Sequence, residues 1–192
     1  MKKLLITGFD PFGGESINPS WEAVKLLPEE IGEYTVYKLQ IPTVFGVAAE
    51  KLLEKAAEIQ PDVIISVGQA GGRAALTPER IGINVRDARI ADNAGISPKD
   101  EPIVPGGPDG YFSTLPVKAM IAAITEAGLP AAISNTAGTF VCNDVLYTLL
   151  HRYHGTGTRC GFIHVPYLPQ QGAPNLTLEQ TAQALIAAVS AL

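Results

Sequence analysis

The chain has 192 residues, 46% of them hydrophobic, which suffices for the core of one compact domain over 1–192. A formal net charge of −5 argues against non-specific nucleic-acid binding, which needs clustered Lys and Arg to neutralise phosphates. Arg73, Arg80, Arg86 and Arg89 are close in sequence, but Glu79, Asp87 and Asp92 interrupt them, leaving a mixed polar segment.

Lys3 to Phe9 reads as a first strand. The apolar run after Lys2-Lys3 stops at Gly8 and has no small-residue cleavage site, so it is not taken as a signal peptide. Asn18-Pro19-Ser20 opens an amphipathic helix, Tyr34 to Ile41 alternates as a strand, and Val47 to Ile59 has helical spacing up to Pro61. Asp62 to Val67 is a β-branched run ending in Gly68, as expected for a buried strand. Further on, the pattern predicts a helix over Val117 to Ala127, a strand over Ala131 to Ser134 and a helix from about Cys142. A strand over Gly161 to Val165 and a helix from Leu178 follow. Alternating strands and helices predict a three-layer α/β/α sandwich with a mostly parallel, mixed central sheet. Ala91 to Leu115 breaks the alternation with four prolines, and a loop of that length is expected to be functional or mobile. Every apolar stretch is interrupted before the roughly 20 residues that cross a bilayer, so no membrane association is expected. Two cysteines make no disulfide framework for a domain of this size, so free thiols in a reducing, cytoplasmic compartment are expected.

In an open α/β sheet, reactive groups gather at the carboxyl ends of strands. Cys142 sits in Thr136-Ala137-Gly138-Thr139-Phe140-Val141-Cys142-Asn143-Asp144, where a loop enters a helix. Unpaired amides and the positive end of the helix dipole favour a thiolate there, which predicts a lowered pKa. A buried, inert cysteine is the competing reading, and Cys160 fits it better. A cysteine acting on an amide needs a base, and there are three histidines. His151 and His154 lie on the Cys142 helix, about 13 and about 18 Å along it, too far to touch the thiol. They read as cations near a helix C-terminus, and no nearby cysteine or carboxylate completes a metal set with them. His164 lies near the end of the next strand, as a base or as a satisfied core residue. Gly68-Gln69-Ala70-Gly71-Gly72-Arg73 exposes backbone amides suited to an oxyanion, and Glu79 is a candidate to orient His164 or a solvated surface glutamate. Gly8-Phe9-Asp10-Pro11-Phe12-Gly13-Gly14-Glu15 lacks the Gly-Lys-Ser/Thr ending of a phosphate loop, and its Phe9 and Phe12 suggest an apolar clamp or core contacts.

Together these segments, with Asn18-Pro19-Ser20, Glu79-Arg80, Asn135 and Phe162-Ile163-His164-Val165-Pro166-Tyr167, resemble pyroglutamyl peptidase type I in family order from Thr7 to Gln170. The resemblance implies a phosphorylase/hydrolase-like fold and a cysteine peptidase acting after an N-terminal pyroglutamyl residue of peptides. It implies Cys142 as nucleophile, His164 as base and Glu79 as orienting acid, with no metal or organic cofactor. It places the 5-oxoproline ring against Phe9 and Phe12, with Thr43, Ile90, Phe140 and Val141 lining the pocket and Asn18 and the Gln69 backbone as polar partners. Candidate oxyanion donors are the Cys142 amide, the Gln69 to Gly72 loop and Arg89. Gly82 where alanine is common, and a short His154 to Arg159 turn, depart from the family pattern. Many members are homotetramers. Two other readings compete: an α/β enzyme binding a nucleoside or phosphate through its glycine loops, since the fold resembles that of purine nucleoside phosphorylases, and a catalytically silent binding module.

Overall fold

The computed structural model describes Met1–Leu192. Side chains of its first strand, β1 (Lys2–Phe9), alternate between two cores: Leu4 and Ile6 enter one apolar cluster, Leu5 and Phe9 the other. A strand apolar on both faces belongs in the middle of a sheet covered on both sides. The remaining elements are α1 (Pro19–Leu26), β2 (Glu30–Ile31), β3 (Tyr34–Ile41), α2 (Val47–Ile59), β4 (Val63–Gln69), β5 (Thr77–Pro78), β6 (Ile81–Ile83), β7 (Gly110–Phe112), α3 (Val117–Glu126), α4 (Val141–Arg152), β8 (Arg159–Val165) and α5 (Leu178–Ser190).

The main sheet has the order β2-β3-β1-β4-β8-β5, parallel through its middle, with β2 and β5 antiparallel at its edges. Helices α1, α3 and α5 bury Val24, Met120, Ile124, Leu185 and Val189 against one face. Helices α2 and α4 bury Leu52, Ala56, Val145, Leu146 and Leu149 against the other. The result is the expected α/β/α sandwich. Each fully buried leucine or valine contributes about 1.5–3 kcal/mol relative to exposure. Helix α1 begins at Asn18 because its side chain accepts from Ser20 N at 3.1 Å and Pro19 needs no donor partner.

Two sequence expectations change. Ala131–Ser134 is not a continuous strand: it runs beside Leu76–Glu79 but bridges only at Leu76 with Ala131 and Glu79 with Ser134. Ala132 N and Ser134 N donate to Leu76 and Pro78, and Leu76 N and Arg80 N donate back to Pro130 and Ser134. The absent rung is the one Pro78, lacking an N–H, cannot donate. The Ala91 to Leu115 stretch contains β7, which pairs with β6, and is tethered by Asn84, which donates to Val104 O and accepts from Val104 N, both at 2.8 Å.

Candidate active site

Three neighbouring chains at the carboxyl end of the sheet place the predicted residues. In β8, Cys160, Phe162 and His164 point to the α2/α4 face by strand alternation, as do Ile64, Ser66 and Gly68 in β4. Gly68 and His164 are register partners, so a side chain at Gly68 would stand beside His164. That space is filled from above by Cys142 at the start of α4: a Cβ on Gly68 would lie 2.9 Å from Cys142 Sγ and 2.7 Å from Phe162 Cζ. On the other side of β8, Thr77 of β5 pairs with His164. Glu79 follows, its N–H donating to Phe162 O at 2.9 Å and its side chain fully buried. His164 Nδ1 donates to Glu79 Oε1 at 2.6 Å, which leaves Nε2 as the nitrogen available for proton exchange.

The electrostatics depart from the expectation of a thiolate. Cys142 is at the helix start and partly exposed, yet burial of its sulfur pushes the thiol up to about 12. The Glu79 charge adds to the rise and Arg73 opposes it. Removing a small anion from water outweighs both the Arg73 charge and the hydrogen bond from the Cys142 backbone, which act the other way. Burial also lowers the His164 pKa, against the Glu79 hydrogen bond, which acts the other way. Burial therefore favours the uncharged form of each group, a thiol and a neutral imidazole. His151 is remote from this site and bonds Tyr111 Oη at 3.0 Å, and His154 packs on the Tyr111 ring at 5.0 Å.

The substrate-side residues divide. An open cleft of about 480 Å³ is lined by Asp87, Arg89, Ile90, Gly138, Thr139 and Phe140. Ile90 is 53% exposed there. Phe140 carries Phe12 at 6.0 Å and Phe45 at 5.2 Å between ring centroids, so these three rings make one apolar wall. Phe9 and Val141, in contrast, are closed into the core; Phe9 packs on Phe162 because alternation in β1 directs it beneath α4. Asn18 and Thr43 are buried and committed elsewhere: Asn18 Nδ2 donates to Asp10 O at 2.9 Å, and Thr43 N and Oγ1 donate to Asp10 Oδ1 at 2.7 and 2.8 Å. They brace the loop that carries Phe12. The Gln69 side chain accepts from Gln171 Nε2 at 2.9 Å, tying its loop to the chain after β8.

Sequence reasoning gave no role to several groups that hold this arrangement. Asn143 bonds Ile83 N, Ile83 O and Val85 O, and Asp144 accepts from Arg86 Nε at 2.6 Å and Gly46 N at 2.8 Å. Together they lock the α4 start to the segment that leads to Arg89 and Ile90. Their signal was present, as two polar residues in the first turn of a helix that is otherwise buried. Arg73 Nη1 donates to Thr77 Oγ1 at 2.5 Å and Glu79 Oε1 at 2.9 Å, and its Nη2 to Thr136 O at 3.2 Å.

Residues 2–192 match the family model described as pyroglutamyl peptidase. The pyrrolidone-carboxylate peptidase of Levilactobacillus brevis is 54% identical, over 99% of this chain and 97% of its own length. That of Erwinia tasmaniensis is also 54% identical, over 99% of this chain and 92% of its own. The crystal structure of Bacillus amyloliquefaciens pyroglutamyl peptidase I superposes with a TM-score of 0.95 at 49% identity, covering 100% of this chain and 96% of that one. The pyrrolidone carboxyl peptidase of Thermococcus litoralis gives a TM-score of 0.95 at 40% identity, covering 100% and 93%.

Proposed function

The chain belongs to the pyroglutamyl peptidase family, and from that premise we propose that Cys142, His164 and Glu79 cleave the amide bond after an N-terminal pyroglutamyl residue. It is a cysteine-type omega peptidase. The observation that carries the residue roles is the 2.6 Å His164–Glu79 hydrogen bond on the face where Cys142 Sγ occupies the space beside Gly68. The thiol attacks the pyroglutamyl carbonyl while His164 Nε2 takes its proton. His164 then gives that proton to the departing amine, and Glu79 stabilises the imidazolium in between. Water, deprotonated by His164, hydrolyses the thioester. The Cys142 amide, at the second position of α4, has no partner one turn back and suits the developing oxyanion. Backbone donors of the Gln69 to Gly72 loop assist, and Arg89 stands on the cleft rim.

The 5-oxoproline ring rests on the Phe12–Phe140 wall with Ile90 opposite. Phe9 and Val141 form its floor from below, and the loop braced by Asn18 and Thr43 holds Phe12 in place. Specificity for the lactam follows from pairing its N–H and C=O, since an analogue lacking them leaves polar groups of the site unpaired. The same reading treats 1–192 as one domain, because both apolar clusters draw on elements from both halves of the chain. It extends by family resemblance to a cytoplasmic homotetramer.

A chromogenic pyroglutamyl amide offered beside the prolyl amide tests the substrate assignment, with the pyroglutamyl compound preferred by wild type. His164→Ala lowers kcat by about 100-fold or more, and Glu79→Gln by about 10-fold or more. Preference for the prolyl amide, or full activity in His164→Ala, overturns the assignment.

A further inference from the structure

Glu79 is the most demanding group in this site. Its carboxylate is fully buried, one oxygen, Oε2, has no hydrogen-bond partner, and both of its side-chain donors converge on Oε1. Unpaired buried charge is costly, so the two donors carry the whole stabilisation. One is His164, whose own charge changes during turnover. The other is Arg73, the only permanent cation bonded to Glu79. Arg73 also reaches across the site: its fork holds Thr77 beside His164 and Thr136 on the loop that leads to Cys142. It therefore joins the three segments that carry Gly68, Glu79 and Cys142, and it does not line the substrate cleft.

We propose that Arg73 is a positioning residue that acts on the reaction through Glu79, fixing the carboxylate against His164 and balancing its charge while the imidazole is neutral. The proposal rests on the roles given above to Glu79 and His164. With Arg73 present, the buried cluster of Arg73, Glu79 and neutral His164 has no net charge. A proton on His164 then makes it cationic, which the low-dielectric site opposes. Without Arg73, neutral His164 leaves Glu79 as an uncompensated buried anion, and a proton on His164 relieves it. The charged groups bearing on His164 are Glu79 after β5 and Arg73 after β4, and the thiol of Cys142 at the start of α4 stands over Gly68, the register partner of His164. Arg73 opposes protonation of His164 and favours ionisation of Cys142, so its removal makes the imidazole easier to protonate and the thiol harder to ionise.

The test compares kcat/KM against pH, on the chromogenic pyroglutamyl amide, for wild type, Arg73→Gln, Arg73→Lys, Glu79→Gln and the Arg73→Gln/Glu79→Gln double variant. Arg73→Gln is expected to move the acid limb up by about one pH unit and to lower kcat by about 10-fold or more with KM little changed. Arg73→Lys returns the limb to its wild-type position, because charge is restored. In the Glu79→Gln background the loss of Arg73 costs less than about threefold, since its partner charge is gone. An acid limb unmoved in Arg73→Gln, or a full additive loss in the double variant, overturns the proposal. If Arg73→Gln alone does not fold, a folded double variant supports the proposal and an unfolded one overturns it. Full activity in Glu79→Gln sinks the triad reading instead, whereas a normal Glu79→Gln loss with an unmoved limb in Arg73→Gln sinks only the role of Arg73.

Discussion

The surroundings of Cys142 and Cys160 form a natural comparison. Both thiols are free, and burial pushes each up to about 12. Cys160 is 1% exposed in mid-sheet, opposite Ile64, with its N–H donating to Thr114 Oγ1 at 2.7 Å, and burial alone accounts for its shift. Cys142 begins a helix, is partly open, and lies within reach of the Glu79 and Arg73 charges. Cys160 and His164 share a strand face, but four residues of strand separate them by about 13 Å. A raised thiol pKa therefore does not distinguish the two. Their neighbours do: Cys142 Sγ stands over Gly68, the register partner of His164, whereas Cys160 lies a strand's length away.

The largest effect expected from this contrast is on turnover. Cys142→Ala should lower kcat at least about 1,000-fold, and Cys160→Ala should leave it within about twofold; equal losses on the pyroglutamyl amide would erase the distinction. Next comes ionisation. In a Cys160→Ala background, the iodoacetamide rate at Cys142 should rise about tenfold per pH unit from 7 to 10 without a plateau, because the thiol titrates near 12. A plateau near pH 8 would return the helix terminus to first importance. Activity should persist to below the ordinary histidine value of 6.5 and be lost as His164 protonates. A smaller effect is steric: Gly68→Ala should cost about tenfold in kcat/KM with the fold retained, because the new methyl would lie 2.9 Å from Cys142 Sγ. The smallest concerns Cys160. Cys160→Ala should lower stability by about 1 kcal/mol, a few degrees in Tm by calorimetry. Each thiol keeps its proton in the fold to a higher pH than in the unfolded chain, so folding stability falls as pH rises from about 9 towards 12. Cys160→Ala should make that decline shallower in alkaline denaturation.

Long periodic segments were legible in the sequence. β1, β3, α2, β8 and α5 fall within a residue or two of their expected bounds, because 2.0 and 3.6 periodicities are local properties of the chain. The short strands β2, β5, β6 and β7 were not, since two or three residues carry no period. The site depends on one of them: Glu79 reaches His164, 85 positions further along the chain, because β5 pairs antiparallel with β8. Asn18, expected as a polar partner of the ring, and Thr43, expected in the pocket lining, both bond Asp10, a group that only folding brings to them.

The sequence by itself determined the α/β class, the family, and the placing of Cys142 at a helix start, all of which follow from local pattern and motif. Tertiary structure alone decided that Cys142 Sγ fills the space over Gly68, the register partner of His164, that Phe9 and Val141 close into the core, and that burial pushes the thiol pKa up. Those outcomes depend on which strands become neighbours and how much water they exclude, and neither quantity is a property of any one segment of the chain.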